Sequence, residues 1–356
     1  MEADNTLDMT IPQSSSQLMS AGALLSLHSY GHSRVHAPND RAPPSVVTLT
    51  ECTDSNAPAA MSCRTSPCHL SGFAYAKVNL SLDIVSKMPD GYHNIKTIMQ
   101  TVSLCDEVTV KVAPGAGIRV ESGLPYLPGD ERNIAAKAAL AFYKHTRITG
   151  YQTHLKIKKN IPVCAGLGGG STDGACVLRM LDSMFETGLG FETLEKLGAS
   201  FGSDVPFCVS GGTSLAEGRG NALTALPPVP HCYIVICKPP FSFSTPELFG
   251  RIICGKIRAR PDTEGMVAAL GKGDLSGISR RMYNVFEDAL PRGAKEIADI
   301  KYIMLDKGAL GSVMTGSGPS VIGLYDSRDN AQSAYEHLKL RYRECYLTET
   351  VERLTS

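Results

Sequence analysis

The stretch Ile161-Pro162-Val163-Cys164-Ala165-Gly166-Leu167-Gly168-Gly169-Gly170-Ser171-Thr172-Asp173 carries the strongest chemical signal in the chain. A strand pattern ends in glycines, and Ser171 and Thr172 lead into a predicted helix with Val177, Leu178, Leu181 and Met184 on one face. Glycines let a backbone turn tightly and approach a ligand closely. The helix that follows aims free N–H groups and the positive end of its dipole into the loop. Together these make an anion cradle suited to a polyphosphate, with the Ser171 and Thr172 hydroxyls available to phosphate oxygens or a metal ion. A plain structural turn is the rival reading. No Gly-Lys-Ser/Thr closes the loop, so it is not a Walker A motif, and Ser171 stands where a dinucleotide fingerprint needs glycine or alanine.

Three further segments carry groups able to act on such a ligand. Lys77 sits in Ala76-Lys77-Val78-Asn79-Leu80, Asp204 in Gly202-Ser203-Asp204-Val205-Pro206-Phe207, and a late glycine turn reads Met314-Thr315-Gly316-Ser317-Gly318-Pro319-Ser320. Taken singly, these read as an exposed strand lysine, a turn aspartate and a hairpin-like turn. Eleven cysteines are scattered without a C-x-x-C pair, which speaks against a disulfide scaffold and for a reducing, intracellular setting. Cys63, Cys68 and His69 lie close in sequence, and His28, His32 and His36 have helical spacing, but neither group has the paired spacing of a zinc site.

The elements that must position these groups follow from periodicity. Val78, Leu80, Leu82 and Ile84 alternate with polar residues, which predicts a half-buried strand with Lys77 turned away from the face that carries Val78. Ile95 to Val102 and Val108 to Val112 predict further strands. A helix opens at Asp130–Asn133 and runs through Phe142, and Leu155 with Ile157 marks another strand. Tyr233-Ile234-Val235-Ile236 begins a second group of elements, with helical stretches expected near Arg280 to Leu290 and Ala331 to Leu338. The rhythm is α+β.

At 356 residues the chain has room for about two domains. Lys plus Arg and Asp plus Glu are 35 each, so no bulk field favours nucleic acid or an anionic membrane. No run of about 18 apolar residues predicts a membrane span. Residues 1–70 mix Ser, Pro, Ala and Thr without periodicity and are expected to be disordered. Glu2, Asp4 and Asp8 precede any Lys or Arg, which argues against a signal or transit peptide, and Met61 is an alternative start.

In their order and combination these segments resemble the GHMP kinase superfamily. Its marks are an N-terminal Lys/Asn strand, a Pro-x-x-x-Gly-Leu-Gly-Gly-Gly-Ser loop and a late glycine motif. Asp90-Gly91-Tyr92-His93, Gly202 to Phe207, Asn284-Val285-Phe286-Glu287 and Thr315-Gly316-Ser317-Gly318 bring the resemblance nearest to the 4-diphosphocytidyl-2-C-methyl-D-erythritol kinases. It covers about residues 73 to 350. Thr172 and Gly174 stand where Ser and Ala are usual, and Ser203 replaces Ala.

The resemblance implies a two-domain α+β fold. A ribosomal-protein-S5-like N-terminal domain (71–225) and a ferredoxin-like C-terminal domain (226–356) would have the active site in the cleft between them. It implies transfer of the γ-phosphoryl group of ATP, with Mg²⁺, to the 2-hydroxyl of the cytidyl substrate in the non-mevalonate route to isopentenyl diphosphate. Pro162, Val163, Cys164, Ala165, Gly166, Leu167, Gly168, Gly169, Gly170, Ser171 and Thr172 would hold ATP. Lys77 and Asp204 would be catalytic; Asp204 either takes the proton or only orients the hydroxyl, and Lys77 orients and neutralises charge. Tyr92 would stack on the cytosine, His93 would hydrogen-bond its edge, and Phe249 would supply a second ring. Without that context Tyr92 and His93 read equally as a core tyrosine and a surface histidine. No acidic pair has metal-site spacing, so Mg²⁺ would rest on phosphates and waters. The implied partners are a small-molecule substrate, no nucleic acid and no membrane. The implied state is a cytoplasmic monomer or weak homodimer, with a plastid only for a plant or algal source. Another GHMP substrate (mevalonate, homoserine or a sugar) and a catalytically silent ATP sensor remain the alternatives.

Overall fold

The structure, a computed structural model, describes residues 47–48, 68–257, 259–291 and 294–354. The chain separates into two units, Met1–Ala42 and Pro43–Ser356, and every described residue belongs to the second. Two long strands, Cys68–Lys87 and His93–Pro114, pair antiparallel and form the spine of a first sheet. The outer part of His93–Pro114 pairs with Tyr151–Lys158, which takes Ile118–Glu121 in parallel on its far side. Its inner part pairs with Thr213–Gly218, which turns back into Ala222–Ala225. Tyr283–Asn284, from much later in the chain, adds in parallel at Ser81–Leu82.

Two helices cover one face of this sheet. Ile134–Thr146 is rich in alanine, and Asn133 caps it by accepting the Ala135 N–H. Gly169–Met184 follows the glycine loop, and its residues 172–181 are all buried. The expected single apolar face is therefore wrong for this helix. It lies between the sheet, Ile134–Thr146 and the helices Gly190–Ala199 and Val205–Ser210, so it has core on every side.

A second sheet has the spatial order Gly311–Met314, Val321–Tyr325, Tyr233–Lys238, Glu344–Glu349, all antiparallel. Numbered along the chain, that order is 4-1-3-2 read from Glu344–Glu349. The helices Lys295–Asp306 and Arg328–Lys339 fall in the first and last connections, which is the ferredoxin-like arrangement. Ile300, Met304, Tyr325 and Leu338 form the core beneath these helices.

Other expectations need correction. Arg280 to Leu290 is not an α-helix: Tyr283–Asn284 joins the first sheet, and Val285–Ala289 is a short 3-10 turn. The Lys77 strand is buried on both faces, because the glycine loop lies on Lys77, Thr315 on Asn79 and Arg260 on Asp83. Disorder over residues 1–70 falls almost wholly outside the described residues, as do the His28 spacing and Cys63, but Val47–Thr48 and Cys68–Leu70 are strand. Cys68 is disulfide-bonded.

Candidate active site

Lys77 lies where strand pairing slips, between Tyr75 and Lys77 and again between Asn79 and Ser81. Such irregularities re-aim side chains out of simple alternation. The Lys77 N–H donates to the Leu167 carbonyl at 3.1 Å, which fastens the strand to the glycine loop. Its buried ammonium donates to Asn79 Oδ1 at 2.8 Å and lies 3.3 Å from Asp204 Oδ2. Asn79 in turn donates from Nδ2 to Thr97 Oγ1 and from its backbone N–H to Thr315 Oγ1, each at 2.8 Å. Asn284 donates from Nδ2 to the Met314 and Gly316 carbonyls at 2.7 and 2.8 Å, holding the late glycine turn in place.

Gly168, with φ +70°, opens the helix without a side-chain cap, leaving first-turn N–H groups for a ligand. A Cβ there would come within 3.0 Å of Lys77 Cγ, so the loop folds directly over the lysine stem. At Gly166 (φ +78°) a Cβ would stand 2.3 Å from the Thr315 carbonyl, so the early and late glycine turns touch back to back. Beneath the loop, Lys159 Nζ donates to Asp106 Oδ2 at 2.5 Å and to Asp173 Oδ2 at 2.7 Å. Asp106 Oδ1 also accepts the N–H groups of Asn160 and Ile161. Burial pushes the Asp173 carboxyl up to about 8, against the attraction of Lys159.

Asp204 precedes the Val205–Ser210 helix and keeps about a third of its side chain exposed, facing the cavity. Buried Arg179 holds the far end of that helix, donating from Nη1 to the carbonyls of Cys208 and Val209 at 2.7 and 3.0 Å. A cation at a helix C-terminus is favourably placed.

Lys77, Asn79, Asp204 and the glycine loop line a cavity of about 1040 Å³ together with Tyr92, His93, Phe249 and the late glycine turn. The His93 and Phe249 rings stack at 4.8 Å and 25°, and Phe286 meets Phe249 edge-on. Burial, then Lys87, pushes the His93 imidazole below its ordinary range and favours the neutral form. Tyr92 is 58 % exposed at the mouth.

Of the loop residues, Cys164, Gly166, Gly168 and Ser171 face this cavity. Thr172 does not offer its hydroxyl to a ligand: it is buried and donates to the Tyr75 carbonyl at 2.6 Å. Pro162 and Val163 line a separate cavity of about 700 Å³, and the Ala165 and Leu167 side chains are in the core. Gly169 and Gly170 pack against Ile161 and Ile134. Sequence reasoning gave no role to Asn79, Lys159, Arg179 or Asn284. Asn79 lies within the Lys77 motif, two positions on, which was its only signal; the others have partners far away in sequence.

Comparison with known proteins identifies the family. Residues 133–212 match the GHMP kinases N terminal domain, and residues 266–344 match the GHMP kinases C terminal family. A 4-diphosphocytidyl-2-C-methyl-D-erythritol kinase of Clostridium botulinum (strain Alaska E43) is 42% identical over 278 residues, covering 78% of this chain and 99% of the relative. The protein of the same description from the Langeland strain is 40% identical over the same length. A solved 4-(cytidine 5'-diphospho)-2C-methyl-D-erythritol kinase superposes with a TM-score of 0.67 at 29% identity, covering 79% of this chain and 98% of that one. A homoserine kinase from Cytophaga hutchinsonii shares the fold, with a TM-score of 0.62 at 21% identity over 81% of this chain and 96% of its own.

Proposed function

Because the chain belongs to the GHMP kinases, and among them to the 4-diphosphocytidyl-2-C-methyl-D-erythritol kinases, we propose a mechanism in which Lys77 and Asp204 flank the accepting hydroxyl. The enzyme phosphorylates 4-diphosphocytidyl-2-C-methyl-D-erythritol in the non-mevalonate route to isopentenyl diphosphate. GHMP kinases use ATP as phosphate donor. The observation that carries the mechanism is the 3.3 Å approach of the Lys77 ammonium to the Asp204 carboxylate inside one cavity with the glycine loop.

ATP supplies the phosphoryl group, and the loop fits a phosphate by its chemistry: an uncapped helix start, a glycine backbone free to approach, and the Ser171 hydroxyl facing the cavity. Asp204 accepts a hydrogen bond from the 2-hydroxyl and takes its proton as the bond to phosphorus forms, or only aims the oxygen. Lys77, held by Asn79, keeps an ammonium beside both oxygens and offsets negative charge that builds there. Proton transfer of this kind belongs late in a loose transition state. Mg²⁺ belongs with the phosphates. Ser171, whose hydroxyl faces the cavity, would be a protein donor to such an ion, which would offset charge on the phosphates.

His93, Phe249 and Tyr92 supply the flat slot for cytosine. We assign residues 71–225 and 226–356 to the two domains. A cytoplasmic setting fits the eight described free cysteines, with Cys68 the exception. Among the described residues no helix is long and apolar enough to cross a membrane.

The deciding experiment is a coupled ADP-release assay with the cytidyl substrate, mevalonate and homoserine offered separately. Turnover with the cytidyl substrate alone is expected. Preference for either of the others would overturn the substrate assignment.

A further inference from the structure

The turn Arg219-Gly220-Asn221 joins Thr213–Gly218 to Ala222–Ala225, and the Gly220 N–H bonded to the Glu217 carbonyl tightens it. This turn carries Arg219 across the mouth of the cavity to the end of the long hairpin. There the guanidinium carbon stands 4.1 Å above the centre of the Tyr92 ring, and Nη2 donates to Asp90 Oδ2. The other oxygen, Asp90 Oδ1, accepts the backbone N–H of Tyr92 itself at 3.0 Å. One carboxylate thus holds both the backbone beneath the ring and the cation above it. The Tyr92 N–H first, and Arg219 next, keep the Asp90 carboxyl below its ordinary range.

An exposed ion pair alone contributes little. The aromatic face changes that balance, since a planar guanidinium both attracts the ring and fits flat against it. A tyrosine this exposed otherwise has free side-chain torsions, and that freedom is lost when a ligand stacks on it. With one face occupied, only the opposite face is left for a base.

We infer that Arg219, braced by Asp90, is a positioning residue that holds Tyr92 ready to receive the cytosine of the substrate. The inference rests on the cytidyl reading given above. It makes Arg219 a determinant of base affinity and leaves the phosphoryl-transfer step to other residues.

Steady-state kinetics of Arg219→Ala, Arg219→Lys, Tyr92→Ala and the double variant Arg219→Ala/Tyr92→Ala test it. Arg219→Ala should raise KM for the cytidyl substrate about tenfold, with kcat and the KM for ATP within about twofold of wild type. Arg219→Lys should recover only part of the loss, because it keeps the charge without the plane. In the Tyr92→Ala background, removal of Arg219 should add less than about twofold, since its target is gone. An unmoved KM in Arg219→Ala overturns the inference, as does an undiminished effect in the Tyr92→Ala background or a fall in kcat with both KM values raised. Wild-type turnover in the same series separates the two readings. Silence with the cytidyl substrate removes the functional reading and the inference with it, whereas wild-type turnover with any of those results removes the inference alone.

Discussion

Lys77 illustrates how much a single side chain depends on its immediate neighbours. Its ammonium is buried, and its partners are the Asn79 side-chain amide oxygen and the Asp204 carboxylate. Removing either charged partner leaves the other without its complement beside the reacting hydroxyl. Asp204→Asn and Lys77→Ala should each lower kcat by about a hundredfold or more, the scale of a positioned acid–base group. ADP release under saturating substrates checks this, and a near-normal rate in either variant would remove that residue from the mechanism. Lys77 and Asp204 were legible as types in a motif, but Asn79 was not assigned a role because Thr315 is 236 positions away. Thr172 was misread for a related reason: a hydroxyl beside glycines looks free until the Tyr75 carbonyl arrives from another strand.

Between elements, the decisive contact is that of the two glycine turns. Gly166 is required twice over, by its φ of +78° and by the Thr315 carbonyl 2.3 Å from any Cβ it might carry. Gly188 has φ +60° with nothing within 4 Å, so it isolates the backbone part of the cost. Gly188→Ala should destabilise by about 1 kcal/mol, and Gly166→Ala by clearly more, about 2–3 kcal/mol, with activity lost as well. Urea midpoints for the two variants check the difference; equal midpoints would mean that the turns separate freely. The two long strands, Tyr151–Lys158, Tyr233–Lys238 and the helices Ile134–Thr146, Gly169–Met184 and Arg328–Lys339 are readable from their periods, whereas the short helices between Gly190 and Ser279 and the helix Lys295–Asp306 are not. Arg280 to Leu290 was not, because its backbone is claimed by a sheet edge at Ser81–Leu82, a tertiary partner that no local pattern announces. The same blindness hid Arg219, whose turn carries no motif.

At the scale of the whole molecule, Asp106, Lys159 and Asp173 join the long hairpin, the strand end before the loop and the helix after it. One ammonium lies between two buried carboxyl groups, and Asp173 keeps one oxygen unpartnered. Its carboxyl, raised to about 8 by burial, retains a proton that an unfolded chain gives up near 4. Folding is therefore favoured fully below that lower value and loses this contribution as the pH climbs toward 8. Asp173→Asn removes the titration, so its melting temperature should gain on that of wild type as the pH goes from about 5 to about 8. Thermal unfolding across that range checks it, and parallel curves would show that Asp173 is ionised throughout.

The bond from Asn79 to Thr315 also bears on how the enzyme comes into being. A ribosome releases the lysine segment long before it has translated the hairpin that steadies it. The nascent polypeptide thus emerges without the hydrogen bond that ties the lysine segment to the late turn, and the two are joined only once the later segment has been made.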